Sequence, residues 1–493
     1  MDKKKVVVVG AGISGLSAAI YAARSGFDVT ILEQHNISGG LSTAWSRKGY
    51  YFEGGMHWLT GSSPKLPLNK VWKTVGALQQ NNPIDTRDVL YTIFDGDKKL
   101  SLHRNPQKMK EEFLAFAPED KRMINRLYRD VKAFSRFFMP IFDVRGCACK
   151  NPARQSILAF IKMLPAALRF PRLVNQSYEE YVGKFRNKNI RHLLKVVIGY
   201  RYNALSFVYT LGSFASGDCG YPAGGSVRMA KNMEQTFLDL GGKIQFKTKV
   251  LKIQIEDGVT KGVQTNDGFL QADAVIVTQD ARAAIDSLFD PPLDCAWAEK
   301  MRGNVIGEQN VFVCLGIKAD LSRLPYGCVF PLDTPFEFGG LKVTEFRINN
   351  YSGYEGHAPD GCTVLTCLLL GESYDFWKAA KEDGTYRQKK DALLAQFVNQ
   401  LEKFIPEIKG NIEVTDVATP CTYERYCGSY KGSWMSVWQK GGKMQNYPQT
   451  VAGISGLYFA GLRVLMPGGL PIAVNSGRLA AQMLCRDFAQ IFV

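Results

Sequence analysis

The hydrophobic pattern of the chain is clearest in its first 33 residues. Val6–Val9 is a β-branched run typical of a strand that is buried on both faces. Apolar positions then recur at helical spacing over residues 16–23, and a second strand is predicted over residues 29–32. A glycine-rich turn joins the first strand to the helix. This order of elements is that of a βαβ unit that binds a dinucleotide.

Three glycines and one acid in this unit have defined roles in such a site. Gly10 allows the tight turn, Gly12 lets the backbone approach a pyrophosphate, and Gly15 lets the helix pack against the strand. The helix N-terminus would face the anion. Glu33 ends the second strand, where a carboxylate accepts hydrogen bonds from the ribose hydroxyls of adenosine and would repel a 2′-phosphate. The unit therefore predicts an adenine dinucleotide other than NADP.

Length and composition indicate a folded protein of two or three domains. The chain has 493 residues, of which 46% are hydrophobic and 22% are charged. Its 11 cysteines are scattered, and Cys147 and Cys149 are too close for a zinc loop, so free thiols in a reducing compartment are predicted. His103, His192 and His357 show no ligand spacing with cysteines or acids, and no metal site is expected.

The net charge of +15 has several interpretations. No nucleic-acid-binding module is recognisable, which leaves a solvated surface or attraction to an anionic membrane surface. The apolar run after Lys3–Lys5 is short and is broken by Gly10, unlike an export signal, and no run of about 20 apolar residues is present. A cytoplasmic protein is expected, with peripheral attachment to the inner face of a membrane as an alternative.

The residues after Glu33 favour FAD over NAD. Gly39 and Gly40 form a double glycine, and residues 221–225, 241–250 and 272–277 carry further motifs of one group. The sequence resembles the flavin amine oxidase superfamily, which includes phytoene desaturases and Rab GDP-dissociation inhibitors. The resemblance implies that the double glycine belongs to an FAD site. It also implies that the backbone of Val250 lies beside the adenine.

The resemblance returns near the C-terminus, in residues 456–461, 467–469 and 473–481. It implies that Gly461 lies under the flavin linker. It also implies that a loop and a helix N-terminus meet the pyrimidine end of the isoalloxazine ring, where a helix N-terminus stabilises negative charge. The residues of this loop are Gly468, Gly469 and Leu470. The chain departs from the family at Leu462, where the family has an acid bonded to the ribityl chain.

An α/β fold is implied, with a discontinuous Rossmann-like FAD-binding domain and a mixed α+β substrate domain. The FAD-binding domain is predicted over residues 1–70, 215–300 and 445–493, and the substrate domain over residues 71–214 and 301–444. Within the second, the helical segment 135–175 interleaves apolar residues with cations. These cations are Arg154, Lys162, Arg169 and Arg172. The segment is either a core helix pair with solvated cations or a membrane-contacting surface.

Three segments select a branch of the superfamily. Residues 54–61, 357–361 and 419–428 are similar to retinol saturases, carotenoid isomerases and phytoene desaturases. This likeness implies an FAD-dependent oxidoreductase of the CH–CH type. Its substrate would be a long apolar isoprenoid, carotenoid or fatty-acyl-like molecule that exchanges hydride with flavin N5. Desaturation, saturation and redox-neutral isomerisation stay open, as do the electron carrier and the oligomeric state.

His57 is the candidate proton donor or acceptor, with Glu53 and Tyr426 expected behind it. Two simpler roles are that His57 bonds a backbone group and that Glu53 caps a turn. One rival function is an amine oxidase, whose aromatic cage Tyr423, Tyr426 and Trp434 could form. The other is a prenyl or lipid carrier without catalysis, as in Rab GDP-dissociation inhibitors.

Overall fold

A computed structural model of the protein describes residues 3–79, 82–199, 201–305, 307–466 and 468–493. The strands are β1 (Lys5–Val9), β2 (Asp28–Glu33), β3 (Ala44–Arg47), β4 (Tyr50–Glu53), β5 (Ile84–Asp85), β6 (Val89–Asp95), β7 (Lys98–His103), β8 (Tyr221–Pro222), β9 (Lys243–Phe246), β10 (Val250–Glu256), β11 (Val259–Thr265), β12 (Gly268–Gln271), β13 (Ala274–Val277), β14 (Gly307–Glu308), β15 (Asn310–Ile317), β16 (Gly327–Phe338), β17 (Leu341–Asn350), β18 (Thr363–Leu370), β19 (Ile412–Ala418), β20 (Met435–Ser436), β21 (Thr450–Val451) and β22 (Ile454–Phe459). The helices are α1 (Ile13–Arg24), α2 (Pro67–Thr74), α3 (Pro106–Phe116), α4 (Lys121–Phe134), α5 (Ile157–Ala167), α6 (Phe170–Val174), α7 (Tyr178–Val182), α8 (Lys188–Lys195), α9 (Ala204–Ala215), α10 (Gly225–Asp239), α11 (Ala281–Ser287), α12 (Ala296–Asn304), α13 (Tyr374–Glu382), α14 (Tyr386–Leu401), α15 (Pro420–Cys427) and α16 (Gly469–Asp487).

The first large sheet has the order β10-β11-β22-β13-β1-β2-β9, with β12 and β21 attached to β11 and β22. The strands from β22 to β9 run parallel, which places their carboxyl ends at one edge. Side chains from both faces of β1 are buried, because Val6 and Val8 pack into one core and Val7 and Val9 into another. This burial explains the continuous β-branched run. The α/β fold predicted from the sequence is confirmed.

Two helices cross closely on this sheet. A Cβ atom on Gly477 of α16 would lie 2.3 Å from the backbone oxygen of Ser14 in α1, so only glycine permits this approach. Ser17 of α1 also donates a hydrogen bond of 2.7 Å to the carbonyl of Val474. The crossing brings the N-termini of both helices to the same edge of the sheet, where they line one cavity.

The second large sheet has the order β19-β15-β18-β17-β16-β6-β7 and is antiparallel apart from the β16–β6 pair. One core lies between this sheet and α13 and α14, and another packs β6 and β7 against α3, α4, α8 and α9. The strands of this sheet come from residues 89–103 and 310–418, whereas those of the first come from residues 5–33, 243–277 and 450–459. The exact domain boundaries stay a prediction.

Helix α5 exposes much of its apolar surface. The exposed large apolar residues in and around it are Phe142, Ile157, Leu158, Phe160, Ile161, Leu164 and Leu168. Ile157 is 79% exposed and Leu168 is 74% exposed, whereas Ala166 of α5 and Leu173 of α6 are buried in a core. The segment therefore packs one face into the protein and leaves an apolar face exposed. Across the described residues, no helix combines the length and the hydropathy needed to cross a membrane.

Candidate active site

A cavity of about 990 Å³ opens at the carboxyl ends of the parallel strands. Gly10, Glu33, Thr278 and Gly461, which end or follow β1, β2, β13 and β22, all line it. Ligands of open α/β sheets bind at this edge. The volume lies at the upper end of the range of roughly 300–1,000 Å³ for small-molecule sites, which suits a large cofactor together with a second ligand.

The glycine turn has the geometry that the sequence predicts. Gly10 has a φ of +102°, which favours glycine. A Cβ atom on Gly15 would lie 1.9 Å from the backbone oxygen of Gly10, so this glycine lets α1 pack against the turn. A Cβ atom on Gly12 would meet nothing within 4 Å, and Gly12 lines the cavity at the start of α1. The turn therefore leaves room for a phosphate at a helix N-terminus.

Glu33 is buried at the cavity wall, where its two oxygens accept different backbone bonds. Oε2 accepts from the amide of Ala11 at 2.7 Å, and Oε1 accepts from the amide of His35 at 2.8 Å. Each carboxylate oxygen has a further acceptor position. Glu33 can therefore hold the turn in place and still bind two ribose hydroxyls.

The other predicted cofactor residues surround the same space. Gly39 bonds the carbonyl of Ala11 through its amide at 2.9 Å, and a Cβ atom on Gly40 would meet the Cα of Gly12 at 3.2 Å. The further residues from the predicted set that line the cavity are Gly39, Gly40, Val250, Gly461, Gly468, Gly469 and Leu470. Pro467 lies outside the described residues.

Arg463, the residue after Leu462, forms a buried ion pair with Asp280. Arg463 Nε donates to Asp280 Oδ2 at 3.0 Å, and its other nitrogens donate to the Ser433 carbonyl and to Ser436 Oγ. Leu462 and Asp280 both line the cavity. A carboxylate is thus present at this wall, supplied by Asp280, although residue 462 is not an acid.

Two unpaired polar atoms show that this end of the cavity fits a dinucleotide. Ser42 Oγ and Asn475 Oδ1 are buried without a hydrogen-bond partner among the described residues, and both residues line the cavity. Buried polar atoms are usually paired, so these two are available to a ligand. Together with the open glycine turn and Glu33, they suit the phosphates, ribose and flavin ring of FAD.

The rest of the cavity is lined by the second sheet and by helices α4, α6 and α9, and it is mainly apolar. Its apolar lining residues include Trp58, Phe134, Phe137, Met139, Phe170, Leu205, Tyr209, Leu368, Leu370 and Trp438. His57 and Arg347 are the conspicuous polar residues of this part. His57 is part-buried, whereas Arg347 is buried on β17.

The bonds to His57 determine which nitrogen carries its proton. Arg347 lies 3.3 Å from His57 Nε2, and because a guanidinium only donates, Nε2 accepts. The proton of the neutral ring is then on Nδ1, 3.1 Å from the Asn349 amide. The Asn349 atom at this distance is Nδ2, which only donates, whereas Asn349 Oδ1 has no partner among the described residues. Rotation of the side-chain amide by 180° exchanges the two atoms and lets Oδ1 accept from Nδ1. Burial, with Arg347 and Arg87 nearby, lowers the pKa of His57 well below its usual value, which keeps the ring neutral.

Glu53 holds the loop that carries His57. Its carboxylate accepts from the amides of Gly55, Met56 and Ser226 and from the Tyr221 hydroxyl, at 2.9 to 3.1 Å. Burial raises its pKa, and these donors oppose that shift. Glu53 is fully buried and is absent from the cavity wall in the described structure, which fits the turn-capping role.

Tyr426 does not occupy the place expected for it behind His57. Its ring lies 5.2 Å from that of His35, and its carbonyl is 3.4 Å from the Gln34 side chain, next to Glu33. No contact recorded among the described residues joins it to His57. Tyr426 lines the cavity beside the acid that would bind ribose, so we assign it no part in proton transfer.

A family model described as flavin containing amine oxidoreductase matches residues 13–485 of the chain. The chain belongs to this family. As a member, it is an FAD-dependent oxidoreductase, and the residues of the cavity described above would hold the cofactor. Within the described residues, no cluster of histidine, cysteine or acidic side chains could hold a metal ion.

The curated relatives of this flavoprotein act in carotenoid and retinoid chemistry, as their names state. Prolycopene isomerase from Daucus carota is 23% identical, over 98% of this chain and 80% of the relative. A lycopene-forming phytoene desaturase from Pseudescherichia vulneris is 22% identical, over 98% of this chain and 99% of the relative. All-trans-retinol 13,14-reductase from Danio rerio is 22% identical, over 86% of this chain and 76% of the relative. The predicted likeness to this branch is confirmed.

Solved structures support the fold of the flavoprotein. An oxidoreductase from Methanosarcina mazei superposes with a TM-score of 0.59 at 18% identity, covering 97% of this chain and 99% of that one. Cyclohexylamine oxidase from Brevibacterium oxydans gives a TM-score of 0.61 at 15% identity, covering 99% and 100%. Identities this low show the fold alone.

Replacing His57 by alanine should slow turnover of the flavoprotein while FAD stays bound. The change removes the side chain that accepts a hydrogen bond from Arg347 in the cavity wall. The turnover rate should fall roughly ten- to hundredfold, which corresponds to the loss of one hydrogen bond to a charged group. Flavin content and conversion of cellular lipids would be measured together. H103A is the matched control, because His103 pairs with Glu112 outside the cavity. Equal rates for H57A and the unchanged protein would reduce His57 to a scaffold role.

Proposed function

We propose that this FAD oxidoreductase acts on C–C or C=C bonds of a long apolar isoprenoid or fatty-acyl-like molecule. The observation that carries the proposal is the continuity of the cavity. One space joins the cofactor residues, such as Glu33 and Gly468, to an aromatic compartment around Phe137, Phe170 and Trp438. The carotenoid and retinoid chemistry named for the relatives supports the same substrate class.

The residues of the chain position the substrate, exclude water and supply a positive charge. FAD supplies hydride exchange with a carbon atom, in either direction. The apolar compartment binds the chain by burying it and excludes water from the reacting carbons. His57 holds Arg347 through its Nε2 lone pair and carries its own proton on Nδ1, facing Asn349. Proton transfer by His57 Nε2 would require Arg347 to move away first.

An amine oxidase activity is the rival that the fold also permits. Tyr423 and Trp434 line the cavity, but the Tyr423 hydroxyl donates to Asn310 Oδ1 at 3.1 Å. Arg347 is a permanent positive charge in the same wall, and it would repel a protonated amine. Purified protein should therefore release no peroxide when it is given primary or secondary amines. Amine-dependent peroxide release would support the rival function.

The carrier function predicts binding without chemistry. Cells that produce the protein would be compared with cells that produce a variant lacking FAD, and their lipids would be separated by chromatography and mass spectrometry. The proposed function predicts a lipid that gains or loses two hydrogens, or changes double-bond geometry, only when FAD is bound. Lipid bound equally by both proteins and recovered unchanged would favour the carrier.

We further propose that α5 contacts an anionic membrane, from which the apolar substrate enters. Phe137 and Phe170 line the cavity, and Phe138 lies 6.4 Å from Phe160 on α5, so the exposed apolar surface adjoins the cavity wall. Arg154 and Lys162 are exposed beside that surface. The other two cations of the segment are already engaged, since Arg169 and Arg172 both pair with Asp130.

Liposome binding should depend on both the apolar and the basic residues of α5. Vesicles with anionic lipid should retain the protein at low salt and release it as salt rises, because each cation near the surface contributes about 1 kcal/mol that salt screens. Glutamate at both Ile161 and Leu168 should abolish retention. Glutamate at Leu238, which is exposed on α10, is the control and should leave retention unchanged. If retention of the protein by vesicles changed neither with salt nor with the two α5 substitutions, α5 would not be the membrane-contacting surface.

A further inference from the structure

Arg347 is a buried cation in the cavity wall that no carboxylate balances. It is 8% exposed, and among the described residues no aspartate or glutamate lies within ion-pair distance of it. One terminal nitrogen donates to the Val196 carbonyl at 2.9 Å and the other to His57 Nε2. Its Nε is buried and has no hydrogen-bond partner among the described residues.

Other buried arginines of the protein are neutralised. Arg463 pairs with Asp280 at 3.0 Å, and Arg478 pairs with Asp143. Arg87 lies 3.6 Å from Asp85. Burying an unpaired charge is costly, and a guanidinium cannot escape that cost by losing its proton. Arg347 therefore differs from these arginines in lacking a fixed counter-ion.

The acid of β17, Glu345, is bonded to His192 and Thr344 rather than to Arg347, and the groups in contact with Arg347 are neutral. The Tyr91 ring centroid lies 5.8 Å from Cζ of Arg347, and burial raises the pKa of Tyr91 above its usual value. Tyr178 and Cys367 are further titratable neighbours, and burial raises the pKa of each, so both stay protonated. His57 is neutral as well. The open side of the guanidinium is the cavity itself.

We propose that the ligand of the apolar compartment carries one carboxylate, which binds Arg347. A single guanidinium matches the charge of a carboxylate, whereas a phosphate dianion would need more donors than this wall offers. Aliphatic and aromatic side chains line the remainder of the compartment, so the rest of the ligand is a long apolar chain. This inference rests on the proposed substrate class and adds that one end of the substrate is acidic.

A fixed carboxylate would also determine which bond reacts. A hydrocarbon could slide along an apolar compartment, but an acid anchored at Arg347 would hold the chain in one register relative to the flavin. His57 then acts as a positioning residue, because it accepts a hydrogen bond from one terminal nitrogen of Arg347, whose Nε has no partner among the described residues.

Calorimetric binding to the FAD-loaded protein would test the proposal without any turnover. The probes are all-trans-retinoic acid and its methyl ester, and oleic acid and methyl oleate. The unchanged protein should bind each acid roughly ten- to hundredfold more tightly than its ester, the worth of a hydrogen bond between charged groups. R347M should reduce this ratio to about one, and R347K should retain part of it.

R201M is the matched control, because Arg201 is paired with Glu372 at 2.5 Å and does not line the cavity. It should keep the acid-to-ester ratio of the unchanged protein. Equal binding of acid and ester by the unchanged protein would overturn the proposal, even if R347M failed to fold. A shifted flavin potential in R347M with an unaltered ratio would also overturn it and assign the charge to the cofactor. Failure of the proposed redox chemistry alone would leave the binding ratio intact.

Discussion

Replacing Glu33 by arginine should yield a protein that is colourless after purification. In the folded chain the carboxylate accepts from the amides of Ala11 and His35, which fixes the glycine turn, and it lines the cavity where the ribose would bind. Arginine removes both acceptors and places a donor where the ribose hydroxyls also need to donate. We expect the affinity for FAD to fall by at least about a hundredfold, which is the loss expected for two hydrogen bonds to a charged group. The purified protein should therefore contain little FAD.

The visible flavin absorbance of purified E33R would be compared with that of E256R. Glu256 ends β10 and is exposed, so its replacement changes the net charge equally without touching the cavity. E256R should be as yellow as the unchanged protein. Full flavin content in E33R would contradict the assignment of this end of the cavity to adenosine.

Replacing Arg463 by methionine should strongly destabilise the protein. The Arg463–Asp280 pair is almost fully buried, and Arg463 also donates to the Ser433 carbonyl and to Ser436. Loss of the arginine leaves the Asp280 carboxylate buried with only the amides of Arg282 and Tyr430 as recorded donors. Breaking one partner of a buried pair costs about 3–5 kcal/mol.

Urea unfolding of R463M, followed by tryptophan fluorescence and flavin release, would measure this loss. R486M is the control, because Arg486 and Asp487 form an exposed pair that should be worth no more than about 1 kcal/mol. A D280N/R463M double variant should recover part of the loss, since it removes the uncompensated charge. A midpoint for R463M close to that of R486M would show that this pair does not brace the cavity wall.

The cofactor half of the site was predictable because its residues are close in sequence and obey strict backbone rules. Gly10 and Gly15 follow from the turn and the helix packing, and Glu33 follows from the end of the next strand. The resemblance to a flavoprotein superfamily then placed Gly461 and Gly468 in the same space. These features depend on local geometry, which periodicity and spacing record well.

The substrate half was less predictable because its contacts join distant parts of the chain. His57 contacts Arg347 and Asn349, which lie 290 and 292 positions further along the sequence. One signal was available: Arg347 and Asn349 occupy alternate positions of a buried strand, and two polar side chains on one face of such a strand are unusual. The sequence predicts Tyr426 behind His57, but in the fold Tyr426 lies beside Gln34 and His35 instead.

The α5 segment shows how one pattern permits two structures. Its interleaved apolar and basic residues fit either a core helix pair or a surface that contacts lipid. The structure leaves Ile161 and Leu168 exposed, yet it turns Arg169 and Arg172 inward to Asp130. Pairing with an acid some 40 residues away in sequence cannot be read from helical spacing, which records only neighbours three or four positions apart.

Mass spectrometry of a lipid converted by the purified, FAD-loaded protein would test the proposed reaction on an apolar substrate. The flavoprotein would be incubated with a lipid extract, beside the flavin-free E33R variant as a blank. We expect a long apolar molecule to differ from its precursor by two hydrogens, or by double-bond geometry alone, in the first sample only. Lipids that are identical in both samples, together with amine-dependent peroxide release by the yellow protein, would contradict it.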